Sequence, residues 1–586
     1  MKRIAVICSI VFLCTMSAYV LWFIRPSIFS RIGEENDKKH YALYPNKEFY
    51  TGLKNSRGVP IEKEKVFGGI VSHHFFMEKD IADFFLSLKD QHPKTIVIIG
   101  PNHFSVGTGD VLVSQYPYET PWGTLMPDQA VVDQLVKKKI VKVDEYPFEK
   151  EHSISALVGF IKYVFPNAKI VPIILKRNVS EVVSRHLADE LNDILTEESL
   201  VIASVDFSHH QNRIAAAFHD EKSIATIDSF DFDSVKRLEV DSPASIDTLM
   251  KYVDKRGAQK MVYTAKNSAA VSHNVSSEDV TSYLFAHFTK GEAQGKSVIS
   301  MLNFGGIVPG SGFRELVEKN QDPFEKIIGV EGNFFRGVDA LIVELEGVID
   351  NRAECTRFNF GKNILEMFKK NRINLIDIAN KGTLDCGQTG FSNTEEQLKK
   401  IGISSFGNQL ISEKSYIVQK TKDIAMVYIG VNMTSITPEE EKKLLDLVTE
   451  LKKKYMHVGV NVYWGESTSV VSKQQQSAMA HALVNQGADI IIGYGNAEAE
   501  PIEIYKNNPI FYSIGNIITG PVGGGSTISI GVGSVVHDHS TTIFIFPFRS
   551  QEGKPQLLPY AQTEEFCSHY LKNIKTKDTC TFELPR

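Results

Sequence analysis

The sequence predicts an α/β protein built from two successive units, and three observations carry that expectation. Short runs such as "TIVIIG", "KIVPIIL" and "SLVIASVDF" are almost wholly apolar, as strands buried on both faces are. Between them, "KDIADFFLSLKD" and "HDEKSIATIDSF" space their apolar residues at the helical period. The polar stretch "TKGEAQGKS", Thr289–Ser297, interrupts the pattern, which then restarts. Alternating strands and helices call for crossover connections and parallel pairing. Residues 65–290 are therefore expected to form an α/β domain with a mainly parallel sheet, and 298–586 a second α/β domain richer in strands and glycine. A chain of 586 residues is too long for one hydrophobic core.

The N-terminus differs from the rest. Lys2 and Arg3 precede an uncharged run from Ile4 to Ile24, which ends at Trp22 and Phe23 before Arg25-Pro26. About 20 apolar residues suffice to cross a bilayer, and aromatic residues suit its boundary. Residues 1–30 are expected to be an uncleaved single-pass anchor, with the bulk of the chain outside the cytoplasm. A cleaved signal peptide would give the same compartment. Residues 31–64 are polar without clear periodicity and read as a tether.

The net charge of −6, with no basic arm or stripe, argues against nucleic acid as a partner. There is no P-loop, dinucleotide fingerprint or G-x-S-x-G. Cys355, Cys386, Cys567 and Cys580 form no CxxC, so a zinc ribbon is disfavoured. In an exported domain they suit two disulfides, Cys355–Cys386 and Cys567–Cys580; buried free thiols are the alternative.

Chemistry concentrates at strand ends. "VSHH" places His73 and His74 after one apolar run, "GPNH" places His103 after a second, and "SVDFSHHQ" places Asp206, His209 and His210 after a third. "EKEHSISAL" adds Glu151 and His152 before a helical pattern. In open α/β sheets, functional groups gather beyond the carboxyl ends of strands. One such histidine is ordinarily a hydrogen-bonded structural group; several together suit a divalent iron, copper or zinc ion. Alternation along an extended chain sends the two members of each HH pair to opposite sides, so at most one of each should face a common site.

These segments resemble the Memo family, called AmmeMemoRadiSam system protein B in bacteria. Its ordered motifs, GG-hydrophobic-PHAG, GPNH, EHS and S-x-D-F-S-H, correspond here to "GGIVSHHF", "IGPNHFS", "KEHSI" and "SVDFSHH", and "ETPWGTLMPD" resembles a further segment. The resemblance covers roughly 65–288. It implies the fold of class III extradiol dioxygenases, with His73 and His103 as metal ligands, Asp206 and His209 as a polar pair in the same pocket, and Glu151 and His152 in or just behind the site. Many members add a cysteine ligand. The corresponding stretch "LEVDSPASIDTLM" has none; Asp241 or Ser242 stands near that position, and Asp241 or Asp206 would complete a two-histidine, one-carboxylate set.

The second half, through "ALIVELEGVI", "DIANKGTLDCGQTG", "VYWGES", "GADIIIGYGNAEAEP" and "IFYSIGN", resembles the CapA family, linked to poly-gamma-glutamate synthesis and having a metallophosphatase-like α/β sandwich. The frame persists while ligand types change: Gly305-Gly306 replaces GD, Lys381 stands in the ANNH segment, and Tyr463 precedes Trp464-Gly465 where the family has histidine. Glu344, Glu346, Asn380, Asp385 and Glu466 remain as candidates to bind a small molecule or envelope polymer in a noncatalytic cleft.

Taken together, the resemblances imply a metal-dependent first half, with redox, oxygen or hydrolytic chemistry and His209 as acid–base group, joined to a ligand-binding second half. The competing expectation is a noncatalytic surface binding protein acting in envelope or capsule polymer biology.

Overall fold

The computed structural model describes residues 38–585, apart from 56–57, 273–275, 310, 320, 328–333, 351–358, 467–470, 519–527 and 552. The expected membrane anchor at 1–30 lies outside the described residues. Among the described residues no helix is long and apolar enough to cross a membrane.

The first half is organised by one eight-stranded sheet. Its spatial order is Lys260–Asn267, Ser282–Thr289, Val66–Val71, Ser199–Ser204, Thr95–Pro101, Lys169–Leu175, Val111–Val113 and Lys142–Val143. The three successive pairings between Val66–Val71 and Lys169–Leu175 are parallel. Ser282–Thr289, Lys260–Asn267 and Val111–Val113 join their inner neighbours antiparallel.

Side-chain alternation explains why the central strands are apolar throughout. Ile96 and Ile98 face one core with Phe85, Phe160 and Ile161. Val97 and Ile99 face another with Leu187, Leu191 and Leu249. Helices Glu78–Ser87 and Val158–Val164 therefore cover one face, and Glu181–Ile194 and Pro243–Lys255 the other.

Part of the expected tether at 31–64 is packed structure. His40–Tyr41 pairs with Tyr118–Thr120. Tyr50 and Leu53 are buried in the core. Tyr50 packs so closely over Gly159 that a Cβ there would lie 2.1 Å from the phenol oxygen. The stretch lacks a visible period because its apolar contacts come from scattered aromatic residues, Tyr44 stacking on Phe75 among them.

The second half is a two-sheet sandwich. One sheet runs Ser404–Phe406, Leu375–Asp377, Ala340–Leu345, Ile299–Ile307, Ile528–Val536, Ser540–Gln551 and Lys554–Leu557, with Thr581–Pro585 also paired to Ser540–Gln551. The other runs Tyr416–Lys420, Ala425–Asn432, His457–Tyr463, Ile490–Tyr494, Asn508–Phe511 and Ile502–Tyr505. Met301, Ile342 and Leu375 of the first meet Met426 and Tyr428 of the second. At Gly305 a Cβ would lie 1.6 Å from the Gly515 carbonyl oxygen, so only glycine allows the strand this close to the "YSIGN" segment.

Cys567 and Cys580 form a disulfide. Cys386 is also disulfide-bonded, and Cys355 lies outside the described residues. The two halves share a core: helix Arg213–Asp228 sends Ile214, Ala215 and Phe218 into the apolar cluster of the second half. Buried Lys222 on that helix reaches Asp339 at 2.6 Å.

Candidate metal centre

Three neighbouring parallel strands end at the same edge of the first sheet, and each carries site residues just beyond its end. Val66–Val71 leads to His73, Thr95–Pro101 to His103, and Ser199–Ser204 to Asp206. Two further segments close over this edge. Glu151 caps the short helix His152–Ser155, its side chain accepting from the Ser153 N–H. That helix sits directly on the strand because Gly100 has no Cβ; one there would lie 2.6 Å from Ser153 Oγ. Asp241 precedes helix Pro243–Lys255 and is tied to the third strand end, its N–H donating to the Asp206 carbonyl while Asp206 N–H donates to Asp241 Oδ2.

The result is two overlapping donor sets around His73. Ligand atoms of His73, His103 and His152 lie within 4.8 Å of one another, and so do those of His73, Asp206 and Asp241. The His103 and His152 rings stack at 4.1 Å between centroids. His73 and Asp206 are buried, whereas the His152 side chain is 40% exposed, so the site opens on that side.

The hydrogen bonds fix which nitrogens face inward. Ser204 Oγ donates its one proton to the Ser153 carbonyl at 2.6 Å. It can therefore only accept from His73 Nδ1 at 3.2 Å, which puts the ring proton on Nδ1 and leaves the lone pair on Nε2. Glu151 does the same for His103. Oε1 accepts from Nδ1 at 2.7 Å, and Oε2 accepts from the His103 backbone N–H at 2.8 Å. A carboxylate behind an imidazole orients the ring and raises its basicity as a ligand.

His73 Nε2 then faces Asp206 Oδ2 at 3.5 Å and Asp241 Oδ2 at 3.4 Å. His103 Nε2 lies 3.9 Å from the same Asp241 oxygen. Acceptors are thus gathered against acceptors, and Asp241 Oδ1 is buried without a hydrogen-bond partner. Such a group is costly unless a cation or a proton sits among its members.

The electrostatics agree. Burial pushes His73 down to about 3 and also lowers His152, so both stay neutral. Burial works to lower His103, but the Glu151 carboxylate overrides it and the net shift is upward. Burial works to raise Glu151, yet the bond and charge of His103 bring it down to about 2. Asp241 is pushed well above the usual carboxylate range by burial and by the Asp206 charge. Asp206 is held low despite burial, chiefly by His73. The neutral imidazoles of His73 and His152 and the low-lying Asp206 carboxylate are donor types that divalent iron, copper or zinc takes, while Asp241 is held up until a proton or cation offsets its neighbour.

The remaining predicted residues divide. His209 is mostly buried, its basicity lowered by burial and raised again by the Asp206 charge, which places it beside the cluster but outside both donor sets. His74 turns away to Tyr283 Oη at 2.7 Å, and His210 points outward to Asp279 at 3.0 Å. Sequence reasoning missed Ser72, whose hydroxyl donates to Asp206 Oδ1, and Ser204, which sets the His73 tautomer. Ser204 opens the S-x-D-F-S-H stretch but was not among the expected site residues, and Ser72 stands where the resembled family has proline.

In the second half Glu344 and Glu346 are buried. Burial and the Glu346 and Asp377 charges push Glu344 well up. Burial takes Glu346 to about 7, with Glu466 and Asp385 adding repulsion. Tyr463 Oη donates to Glu346 at 3.0 Å. The Asn380 amide donates to the Leu345 carbonyl and its oxygen accepts from Thr383 N–H, and its side chain also acts to lower Glu344. Sequence reasoning passed over Asp377, which burial raises to about 7 within the same group.

Comparison with known proteins divides the chain at the same place. Residues 48–281 match the family model for Memo-like protein, and 300–521 that for bacterial capsule synthesis protein PGA_cap. A MEMO1 family protein of Caldivirga maquilingensis is 34% identical over 170 residues, covering 28% of this chain and 57% of that one. A MEMO1 family protein of Desulfurococcus amylolyticus is 28% identical over 225 residues, covering 36% and 75%. The chain thus spans little more than half the length of the first of these relatives. Among solved structures, a novel phosphatase of Mycoplasma pneumoniae aligns at 15% identity over 44% of this chain and 95% of that one, with a TM-score of 0.29. A likeness that slight bears on neither fold nor site.

Proposed function

Starting from a chain whose first half is Memo-like and whose second half is a PGA_cap-type domain, we propose that the first half binds one divalent iron, copper or zinc ion and acts through it on a small molecule or an envelope polymer. His73, His103 and Asp241 hold the ion, with Asp206 beside them and His152 on the open side. The observation that carries this reading is the gathering of His73 Nε2 against two carboxylate oxygens, with Asp241 Oδ1 buried and lacking a hydrogen-bond partner. When bound, the ion supplies Lewis-acid or redox chemistry to a ligand oxygen.

The protein's own residues do the rest. Glu151 and Ser204 hold the Nδ1 protons of His103 and His73, so both rings present lone pairs. Ser72 holds the second oxygen of Asp206. His209, near Asp206, is the group that takes or gives a proton; burial lowers its basicity and the Asp206 charge restores part of it.

The second half is a noncatalytic ligand-binding domain with Glu344, Glu346, Asp385 and Glu466 in its cleft. The uncharged run Ile4–Ile24 supports an anchor with the bulk of the chain extracytoplasmic. The Cys567–Cys580 disulfide supports an oxidising compartment.

The test is thermal melting of the full chain with Fe²⁺, Zn²⁺ or Cu²⁺, beside Asp241→Asn. An ion that binds the folded form raises its stability by about 2.7 kcal/mol at a hundredfold excess over Kd. An equal shift in the variant would show that the ion binds elsewhere.

A further inference from the structure

A cavity of about 530 Å³ lies between the two halves. Arg177, Lys236 and Arg237 line it from the first half, and Arg336, Lys369 and Arg372 from the second. No carboxylate is among its lining residues that are described. Its size falls within the range of small-molecule sites.

Some of this charge is answered from behind the wall. Arg336 pairs with buried Glu239 and donates to the Val240 carbonyl, and Arg237 reaches Asp339 at 3.0 Å. Those pairs hold the guanidinium stems in place. They answer two of the six cations, and Asp339 is shared with Lys222.

Arg372 enters the wall from a helix end. It follows helix Asn363–Lys370 with φ +58°, a left-handed position where glycine or asparagine is the cheap choice. The helix C-terminus favours a cation, but Lys369 and Lys370 already supply two there, and Lys370 turns to Asp322. Burial lowers the basicity of Arg372, the Arg336 and Arg177 charges lower it further, and the Glu239 carboxylate acts the other way. The turn is closed by Arg372 N–H donating to the Lys369 carbonyl and Ile373 N–H to the Phe368 carbonyl, and it delivers Arg372 to the cavity wall.

We propose that this inter-domain cleft binds a multivalent anion, through phosphate or carboxylate oxygens, with Arg177, Arg336 and Arg372 as its main contacts. Guanidinium forks match both oxyanions, and Lys236 and Lys369 add point charge at the rim. Binding would bridge the two halves. It requires neither the metal centre nor the second-half carboxylates.

The experiment is isothermal titration of the full chain at low salt with tripolyphosphate and, separately, citrate. Arg372→Gly is the chosen variant, since glycine relieves the left-handed strain and the fold should persist; Arg177→Gln, on the opposite wall, is the second. The expected result is saturable binding of at least one probe, weakened about tenfold or more in each variant, and weakened again by added salt. Tighter tripolyphosphate assigns phosphate as the recognised group; tighter citrate assigns carboxylate. No binding of either probe, or binding unchanged in both variants, overturns the proposal.

Discussion

Glu151→Gln separates metal binding from simple folding. The Glu151 carboxylate accepts three N–H groups: His103 Nδ1 and Ser153 N on Oε1, and His103 N on Oε2, all between 2.7 and 2.9 Å. Glutamine keeps one acceptor oxygen. If that oxygen serves His103 Nδ1, the new amide confronts the His103 backbone N–H, and a buried donor goes unmet. The structural cost is about 1–3 kcal/mol. The cost to an ion is separate: a neutral amide no longer raises the basicity of the His103 ring. Loss of such a supporting carboxylate typically weakens metal affinity about 10–100-fold, equivalent to about 1.4–2.7 kcal/mol. The assay is competition of the full chain against a chromophoric chelator at neutral pH, with thermal melts of the metal-free forms alongside. A metal-free form that loses stability while its ion affinity stays within about twofold of wild type would refute the role given to Glu151.

Three other outcomes are expected. His219 is buried and neutral, donating to the Phe334 carbonyl at 3.1 Å across the two halves, and burial lowers it to about 3. Its unfolded form takes up a proton near pH 6.5, so its contribution is complete above that pH and is lost as pH falls toward 3. Relative to His219→Gln, wild type should lose about 2 kcal/mol between pH 6.5 and 5; parallel pH–melting curves for the two proteins would contradict this. The Cys567–Cys580 disulfide closes a separation of 13 residues, worth about 3 kcal/mol through the unfolded chain, and melting of the Cys567→Ala, Cys580→Ala double variant at wild-type temperature would exclude that. Gly305→Ala forces a Cβ against the Gly515 carbonyl and should cost at least about 1–3 kcal/mol, read as a lower denaturant midpoint.

How much of this was legible beforehand varied with the kind of interaction. Parallel core strands announce themselves as apolar runs, so Thr95–Pro101 and Ser199–Ser204 were readable as buried strands. Histidines after such runs were visible as a set, because strand ends share one edge of the sheet. What sequence could not give was orientation. Alternation in "VSHH" allows either histidine to turn inward; the family resemblance chose His73, and the Ser204 hydroxyl, 131 positions away, is what holds its ring. Packing of Tyr50 over Gly159 was hidden for a related reason. It joins residues far apart in the chain and leaves no local period. The cationic cleft is likewise assembled from four separated segments, none of them unusually basic alone.

The most direct measurement is metal content of the full chain purified without chelator, beside His73→Ala and His103→Ala. A resident ion predicts close to one iron, copper or zinc per chain in wild type, falling sharply in both variants. No retained metal in wild type after loading and desalting, or an amount unchanged by His73→Ala, would contradict a metal centre at these strand ends.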